Sequence, residues 1–176
     1  MLQKLEKPYL YFKGIELTQH SQIKITQNLL REILNSILID NKELSEIIKI
    51  LEKYRKMIIH KEIENVDDIT VTKKIGRMPS EYVGSLPAHV QLAVDRKAKG
   101  EYFCTIMTIG FVVISDNPLK IIHRDDYIEG QYDAKYYWGK QVWPPTFRLL
   151  KVVYPEIYWE RYSSSDKHLQ MCIGDF

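Results

Sequence analysis

The chain has 176 residues, of which 45% are hydrophobic and 27% are charged, and its formal net charge is +2 at pH 7. This length suits one domain, or one domain with an appended helical piece. The composition is typical of a globular protein and excludes the disordered class. The charge is too mild to predict nucleic acid as a partner by itself.

The cysteines and the apolar runs indicate the cellular compartment of the protein. Cys104 and Cys172 are too few for a disulfide framework, and Cys104 lies inside an apolar segment, which favours a reducing compartment. No run approaches the roughly 20 apolar residues that a spanning helix needs. Glu6 and Pro8 stand where a secretory signal would carry an apolar block. We therefore expect a cytoplasmic protein without a membrane span.

The first half of the chain predicts a helical hairpin. Residues 1–17 suit a short edge strand or an extended arm. Between residues 21 and 59, two apolar stripes with a spacing of three and four residues are separated by Asp40 and Asn41. This pattern predicts two amphipathic helices joined by a tight turn.

A sheet is predicted to follow the hairpin. Residues 69–75 alternate as a half-buried strand does, and residues 86–99 predict a helix, with a strand at 89–94 as the alternative. Residues 101–115 form the longest run that is nearly free of charge, and they predict a strand buried on both faces at the centre of the sheet. A turn then leads into a strand at 119–123.

The last third is predicted to be loop and strand. We expect a surface loop at 124–140, a core strand at 147–153, an edge strand at 156–162 and a final short strand at 168–176. The predicted fold class is α+β, with an N-terminal helical hairpin packed on a mixed, mainly antiparallel sheet. We expect a single domain, in which the hairpin takes about residues 21–59 and the sheet-containing part about residues 60–176.

Aromatic residues concentrate between Tyr127 and Tyr162, which hold all three tryptophans and seven of the twelve tyrosines. Such rings with interleaved cations can stack bases, form a protein interface or fill a core. Acidic residues interrupt the positive charge, which favours a protein partner over nucleic acid. The predicted binding surface consists of Tyr136, Tyr137, Trp138, Trp143, Arg148, Tyr158, Trp159 and Arg161.

Two small basic clusters could bind phosphate if the chain folds back between them. As an alternative, they are ordinary solvated surface. The six residues of this basic patch are Lys73, Lys74, Arg77, Arg96, Lys97 and Lys99.

No set of residues predicts a metal or a cofactor. His168 with Cys172, and His123 with Asp125 and Asp126, each lack a third ligand that the spacing could identify. Neither glycine-rich phosphate-binding pattern occurs. We therefore expect no cofactor, no metal and no small-molecule ligand.

Two segments near the C-terminus together match the pattern of a known family. They are residues 143–157 (WPPTFRLLKVVYPEI) and residues 171–175 (MCIGD). It resembles bacterial proteins with the ubiquitin-conjugating-enzyme fold, in which a Pro-Pro pair precedes a core strand and a later segment bears the thioester cysteine. The resemblance implies that Cys172 is a nucleophile that accepts an acyl group as a thiolate. Tyr154 and Glu156 stand where that family has His and Asn.

From these observations we predict a non-enzymatic subunit or accessory protein that acts through protein–protein contacts in a larger assembly. The alternatives are a nucleic-acid-associated protein that uses the basic and aromatic surface, and a thioester-forming enzyme with Cys172 as its only catalytic candidate.

Overall fold

The computed structural model describes residues 22–102 and 104–163. The elements in these residues are α1 (Lys24–Leu38), α2 (Leu44–Ile59), α3 (Val66–Ile69), β1 (Val71–Lys74), α4 (Ala88–Ala98), β2 (Thr108–Asp116), β3 (Leu119–His123), α5 (Ala134–Tyr136), a π-helix (Tyr137–Val142), α6 (Trp143–Val153) and 3-10 helices at Pro79–Glu81, Arg124–Asp126 and Trp159–Ser163. The predicted α+β class is confirmed.

The three strands form one antiparallel sheet in the order β1-β2-β3. β2 is the central strand, as predicted, but it begins at Thr108 and not at Glu101. Tyr102 and Ile106 are 82% and 74% exposed, so these two members of the apolar run before β2 lie outside the core. Opposite Val71 lies Phe111, and the pairing continues to Lys74 opposite Thr108.

The predicted helical hairpin is confirmed as α1 and α2. Its apolar stripes lie in the same core as the sheet and the C-terminal helices. Two contacts tie it to the C-terminal part: Thr26 Oγ1 donates to the carbonyl of Gln141 at 3.2 Å, and the Tyr132 hydroxyl donates to the carbonyl of Ile58 at 2.9 Å. No helix of the described residues is long and apolar enough to cross a membrane.

Residues 134–153 are helical, so the predicted loop at 124–140 and core strand at 147–153 are wrong over this span. The Asp133 carboxylate caps the start, since its Oδ1 accepts the Tyr136 N–H at 3.1 Å. Pro144 and Pro145 fall in the first turn of α6, where a missing N–H costs little. The Pro-Pro pair therefore starts a helix instead of interrupting the chain.

The predicted edge strand at 156–162 is also wrong, because the Trp159–Ser163 segment is a 3-10 helix. Its position is fixed by the Trp159 indole, which donates to the carbonyl of Tyr154 at 2.9 Å. The predicted arm at 1–17, the predicted strand at 168–176 and Cys172 lie outside the described residues. The domain division and the cytoplasmic location stay predictions.

Candidate functional site

Half of the predicted aromatic binding surface lies in the core. The exposed fraction is 0% for Tyr137, Trp138 and Trp159 and 8% for Trp143. The Trp138 indole donates to the carbonyl of Tyr162 at 3.3 Å, so its one polar group is used inside the protein. These four rings cannot contact a partner without unpacking, and they serve as core instead of a docking face.

The other four predicted residues do not restore an aromatic face. Tyr136 is half-buried, and its hydroxyl accepts a hydrogen bond from Gln141 Nε2 at 2.8 Å. Arg161 is half-buried, and its guanidinium lies over the Tyr162 ring at 5.2 Å. Among the eight, Arg148 and Tyr158 are the exposed members. A single exposed ring does not make the continuous aromatic surface that the sequence suggested.

A different group of exposed side chains stands at the edge of the sheet. Lys73 and Lys74 lie on β1, and Arg77 follows shortly after it; all three are exposed. Among the described residues, β1 pairs with β2 alone and is the edge strand of the sheet. Lysine on an edge strand is one device that discourages pairing with another strand. None of the three cations forms an ion pair with a described residue.

His89, in the first turn of α4, joins this group. Its imidazole is half-buried, and its pKa is lowered first by that burial and then by the positive charge of Lys73. Lys73 is therefore close enough to His89 for its charge to act on the imidazole. His89 is a site residue that sequence analysis missed, because a single His two positions after Pro87 gives no signal of its own. We call Lys73, Lys74, Arg77 and His89 the basic edge.

Arg96, by contrast, is held by carboxylates. Its Nε donates to Glu101 Oε2 at 2.6 Å and its Nη1 to Asp126 Oδ2 at 2.9 Å, while Asp125 Oδ2 lies 3.9 Å from Nη2. The hydrogen bond to Glu101 is the main reason why the Arg96 pKa is raised. Gly100, with a φ of +96°, turns the chain at the end of α4 and so brings Glu101 back to Arg96.

The second predicted basic cluster lies toward the end of α4. α4 has 11 residues, and its two ends are separated by about 15 Å at the ordinary helical rise. Lys97 and Lys99 are exposed near the end that holds Arg96, away from His89. The prediction placed Arg96 among phosphate ligands, but its guanidinium is already occupied by protein carboxylates.

An ion pair fixes the segment that meets Arg96. Arg124 Nη2 lies 2.7 Å from Asp67 Oδ1, and this pair links the Arg124–Asp126 turn to α3, just ahead of β1. The Arg124 side chain crosses β2 at Gly110, where a Cβ would lie 3.2 Å from Arg124 Cδ. At the same turn, His123 Nδ1 accepts the Asp125 N–H at 3.3 Å. These contacts hold α3, β2 and the turn in one arrangement.

Within residues 22–102 and 104–163, no three His, Cys, Asp or Glu side chains are grouped so that they could hold a metal ion. The His123 contact with Asp125 is a cap of the local turn, and burial followed by the charge of Arg96 lowers the His123 pKa.

Comparisons with known proteins agree with one another. The family model of DNA polymerase family B matches residues 2–153. A DNA polymerase of Pyrococcus horikoshii is 27% identical over 144 residues, which cover 79% of this chain and 11% of that protein. A DNA polymerase of Pyrococcus glycovorans is 26% identical over 144 residues, which cover 79% of this chain and 18% of that protein.

The fold has a counterpart among solved structures. It is similar to the family B DNA polymerase of the hyperthermophilic archaeon Pyrobaculum calidifontis, with a TM-score of 0.59 and 19% identity over 75% of this chain and 18% of that one. The chain spans between 11% and 18% of the length of the curated relatives it matches.

These matches overturn two predictions. The resemblance of residues 143–175 to ubiquitin-conjugating-enzyme proteins is wrong, because the polymerase family matches through residue 153 and the Pro-Pro pair opens a helix, not a core strand. The predicted non-enzymatic subunit acting through protein–protein contacts is wrong as well, since the relatives are DNA polymerases. The chain belongs to DNA polymerase family B.

Proposed function

We propose that this chain works in DNA synthesis and that the described residues contribute by binding the phosphate backbone of DNA at the basic edge. Two observations support the proposal: the relatives carry the name DNA polymerase, and three exposed cations without a described ion-pair partner lie within five residues of one another. The cluster of cations is the reason why we assign DNA binding to these particular residues.

The backbone of the basic edge is well fixed. Lys73 and Lys74 lie opposite Ile109 and Thr108 in the β1–β2 ladder. Immediately after them, the Ile75 N–H donates to the carbonyl of Met107 at 2.9 Å, and the Ile75 side chain is fully buried. A cation on an ordered backbone loses less conformational entropy on binding than one on a mobile loop. The edge is therefore organised before DNA arrives.

The chemistry predicts contact without sequence readout. Lysine and arginine neutralise phosphates and release counterions, and each contact steepens the dependence of binding on salt by about 0.9 in a plot of log K against log salt. Such contacts position a protein on DNA but do not distinguish bases. A surface that holds DNA during synthesis needs this property, because it meets every sequence in turn.

Nucleotide transfer by polymerases uses metal ions held by carboxylates. Because the described residues contain no such group of ligands, the proposal includes no metal-dependent step for them. It concerns binding alone.

The test is binding of the intact chain to a fluorescently labelled DNA duplex of random sequence, measured by anisotropy over a series of salt concentrations. We expect Lys73→Ala/Lys74→Ala to weaken binding to every duplex alike and to lower the salt slope by about 2, or about 1 for each lost phosphate contact. Arg77→Ala adds to this effect.

The matched control is Lys49→Ala/Lys56→Ala, which removes two exposed lysines from α2. Its net charge equals that of the β1 variant, so a general effect of charge would appear in both. Equal losses in the two double variants, or no binding by the unaltered chain, would refute the proposal.

A further inference from the structure

We infer that the carboxylates around Arg96 set the limit of the DNA surface, so that DNA contacts β1 and the start of α4 but is kept away from the end of that helix. The inference rests on the proposed function. The three carboxylates are those of Glu101, Asp125 and Asp126, and we call them the acidic rim.

The exposure of these side chains gives the first argument. The Arg96 side chain is 13% exposed, whereas Glu101, Asp125 and Asp126 are 45%, 63% and 52% exposed. The Arg96 side chain is thus largely covered, and the carboxylates that contact it are more open to the solvent. An approaching phosphate meets the negative charge of the acidic rim before it meets the positive charge of Arg96.

The balance of charge gives the second argument. The four cations at this end of α4 (Arg96, Lys97, Lys99 and Arg124) are offset by four carboxylates (Asp95, Glu101, Asp125 and Asp126), so it carries no formal surplus of positive charge. At the basic edge, the nearest acidic residues along the chain are Asp68, five residues before Lys73, and Glu81, whose carboxylate accepts the Met78 N–H at 2.8 Å; neither forms an ion pair with Lys73, Lys74 or Arg77 among the described residues. Of these two regions, the β1 end is therefore the one with a surplus of positive charge.

The two regions lie toward opposite ends of α4. His89 and Arg96 are seven residues apart on this helix, a rise of about 10 Å, so the acidic rim acts most strongly at its own end at physiological salt, where the Debye length is roughly 8 Å. The acidic rim acts on DNA that would otherwise extend along α4 toward Lys99, because its carboxylates repel the DNA phosphates.

Asp125 can separate this role from the structural one. It is the most exposed member of the acidic rim, and its carboxylate stands 3.9 Å from Arg96, whereas Glu101 and Asp126 bind the guanidinium directly. Its other ion-pair contacts are with the exposed Arg124 at 3.4 Å and with the mostly buried His123 at 3.4 Å. Asp125→Asn thus removes a charge and leaves the main Arg96 contacts in place.

The experiment compares Asp125→Asn and Asp125→Lys with the unaltered chain, using the same labelled duplex in 50 mM and 150 mM salt. We expect about a twofold gain in affinity for Asp125→Asn at the lower salt. For Asp125→Lys we expect a larger gain and a salt slope steeper by about 1, because the new lysine makes a phosphate contact.

The matched controls are Glu46→Gln and Glu46→Lys, at an exposed position in the first turn of α2. If they raise affinity as much as the Asp125 variants, the effect comes from net charge and the inference is wrong. Unchanged affinity in both Asp125 variants, with weakened binding in Lys73→Ala/Lys74→Ala, refutes the acidic rim but leaves DNA binding intact. Absence of binding by the unaltered chain refutes both proposals.

Discussion

The hydroxyl of Tyr137 accepts a hydrogen bond from the backbone N–H of Val113 at 3.1 Å, between two residues that are almost fully buried. β1 pairs with β2 only over residues 108–111. Beyond that point the Asp133 N–H donates to the Val113 carbonyl at 2.9 Å, and Asp133 Oδ2 accepts the Asp116 N–H at 3.0 Å. The start of the C-terminal helices therefore completes the edge of β2 where β1 ends.

This arrangement predicts a clear cost for Tyr137→Phe. The ring is kept, but the buried Val113 N–H loses its acceptor, and an unsatisfied buried donor costs about 1–3 kcal/mol. We expect the free energy of unfolding in urea to fall by this amount. Tyr158→Phe is the control, since Tyr158 is 68% exposed and its change should stay within about 0.5 kcal/mol. Equal stability of both variants would show that water or a rearranged backbone accepts the Val113 N–H in place of the Tyr137 hydroxyl.

A second prediction concerns the crossing of Arg124 over β2. A Cβ on Gly110 would lie 3.1 Å from the Thr70 methyl and 3.2 Å from Arg124 Cδ. Overpacking typically costs about 1–3 kcal/mol, and the reduced freedom of the unfolded chain returns about 0.4–1 kcal/mol. We therefore expect Gly110→Ala to lower the free energy of unfolding by about 1 kcal/mol.

A second substitution tests the cause. Thr70→Ser removes the methyl group but keeps the hydroxyl, which donates to the Val66 carbonyl at 2.8 Å. The double variant Gly110→Ala/Thr70→Ser should recover part of the loss, which a double-mutant cycle measures. If the two losses simply add, the Thr70 methyl is not the obstacle.

The sequence predicted the parts of the fold in which one pattern dominates. In the hairpin, the helical spacing of apolar residues continues over two long segments, and the alternation in residues 69–75 predicted β1. The C-terminal helices were missed because Val152 and Val153, two β-branched residues after a short apolar run, favoured a strand, although both turn out to lie outside the core, with Val152 81% exposed. The Asp133 cap and the Pro-Pro pair were the local signals for a helix.

The candidate site was predictable only in part. Lys73, Lys74 and Arg77 are adjacent in sequence, so their common location follows from composition. The partners of Arg96 do not, since Asp126 is 30 residues away and meets it only through tertiary packing. Positive residues in a sequence indicate a phosphate site only when the fold leaves them without carboxylates.

Stability should depend on pH through two histidines. Burial is the first cause that lowers the pKa of both His89 and His123, so the folded protein binds fewer protons than the unfolded chain just below the usual pKa of about 6.5. Stability is then lost as pH falls from 7 toward 5. Urea unfolding at several pH values should show this loss, reduced in His89→Gln/His123→Gln and unchanged in the exposed control His60→Gln. An unaltered profile in the double variant would contradict the assignment.

DNA binding should respond to pH in the opposite direction. A phosphate at the basic edge offsets the charge of Lys73, which contributes to the low pKa of His89, and so favours the imidazolium. We expect affinity for the labelled duplex to rise about threefold from pH 8 to pH 6, by linkage between proton and DNA binding. His89→Gln should abolish the rise and His123→Gln should retain it. A rise of equal size in His89→Gln would show that His89 is not at the DNA surface.

The burial of Trp138, Trp143 and Trp159 gives the protein a built-in optical probe. All three indoles of the chain lie in the core, remote from bulk water, so their emission should have a short wavelength while the protein is folded and shift to the red when it unfolds. A DNA strand resting on the outer edge of the sheet has no indole beside it to quench. Fluorescence that changed on addition of DNA would therefore signal a rearrangement of the interior and not contact at the surface.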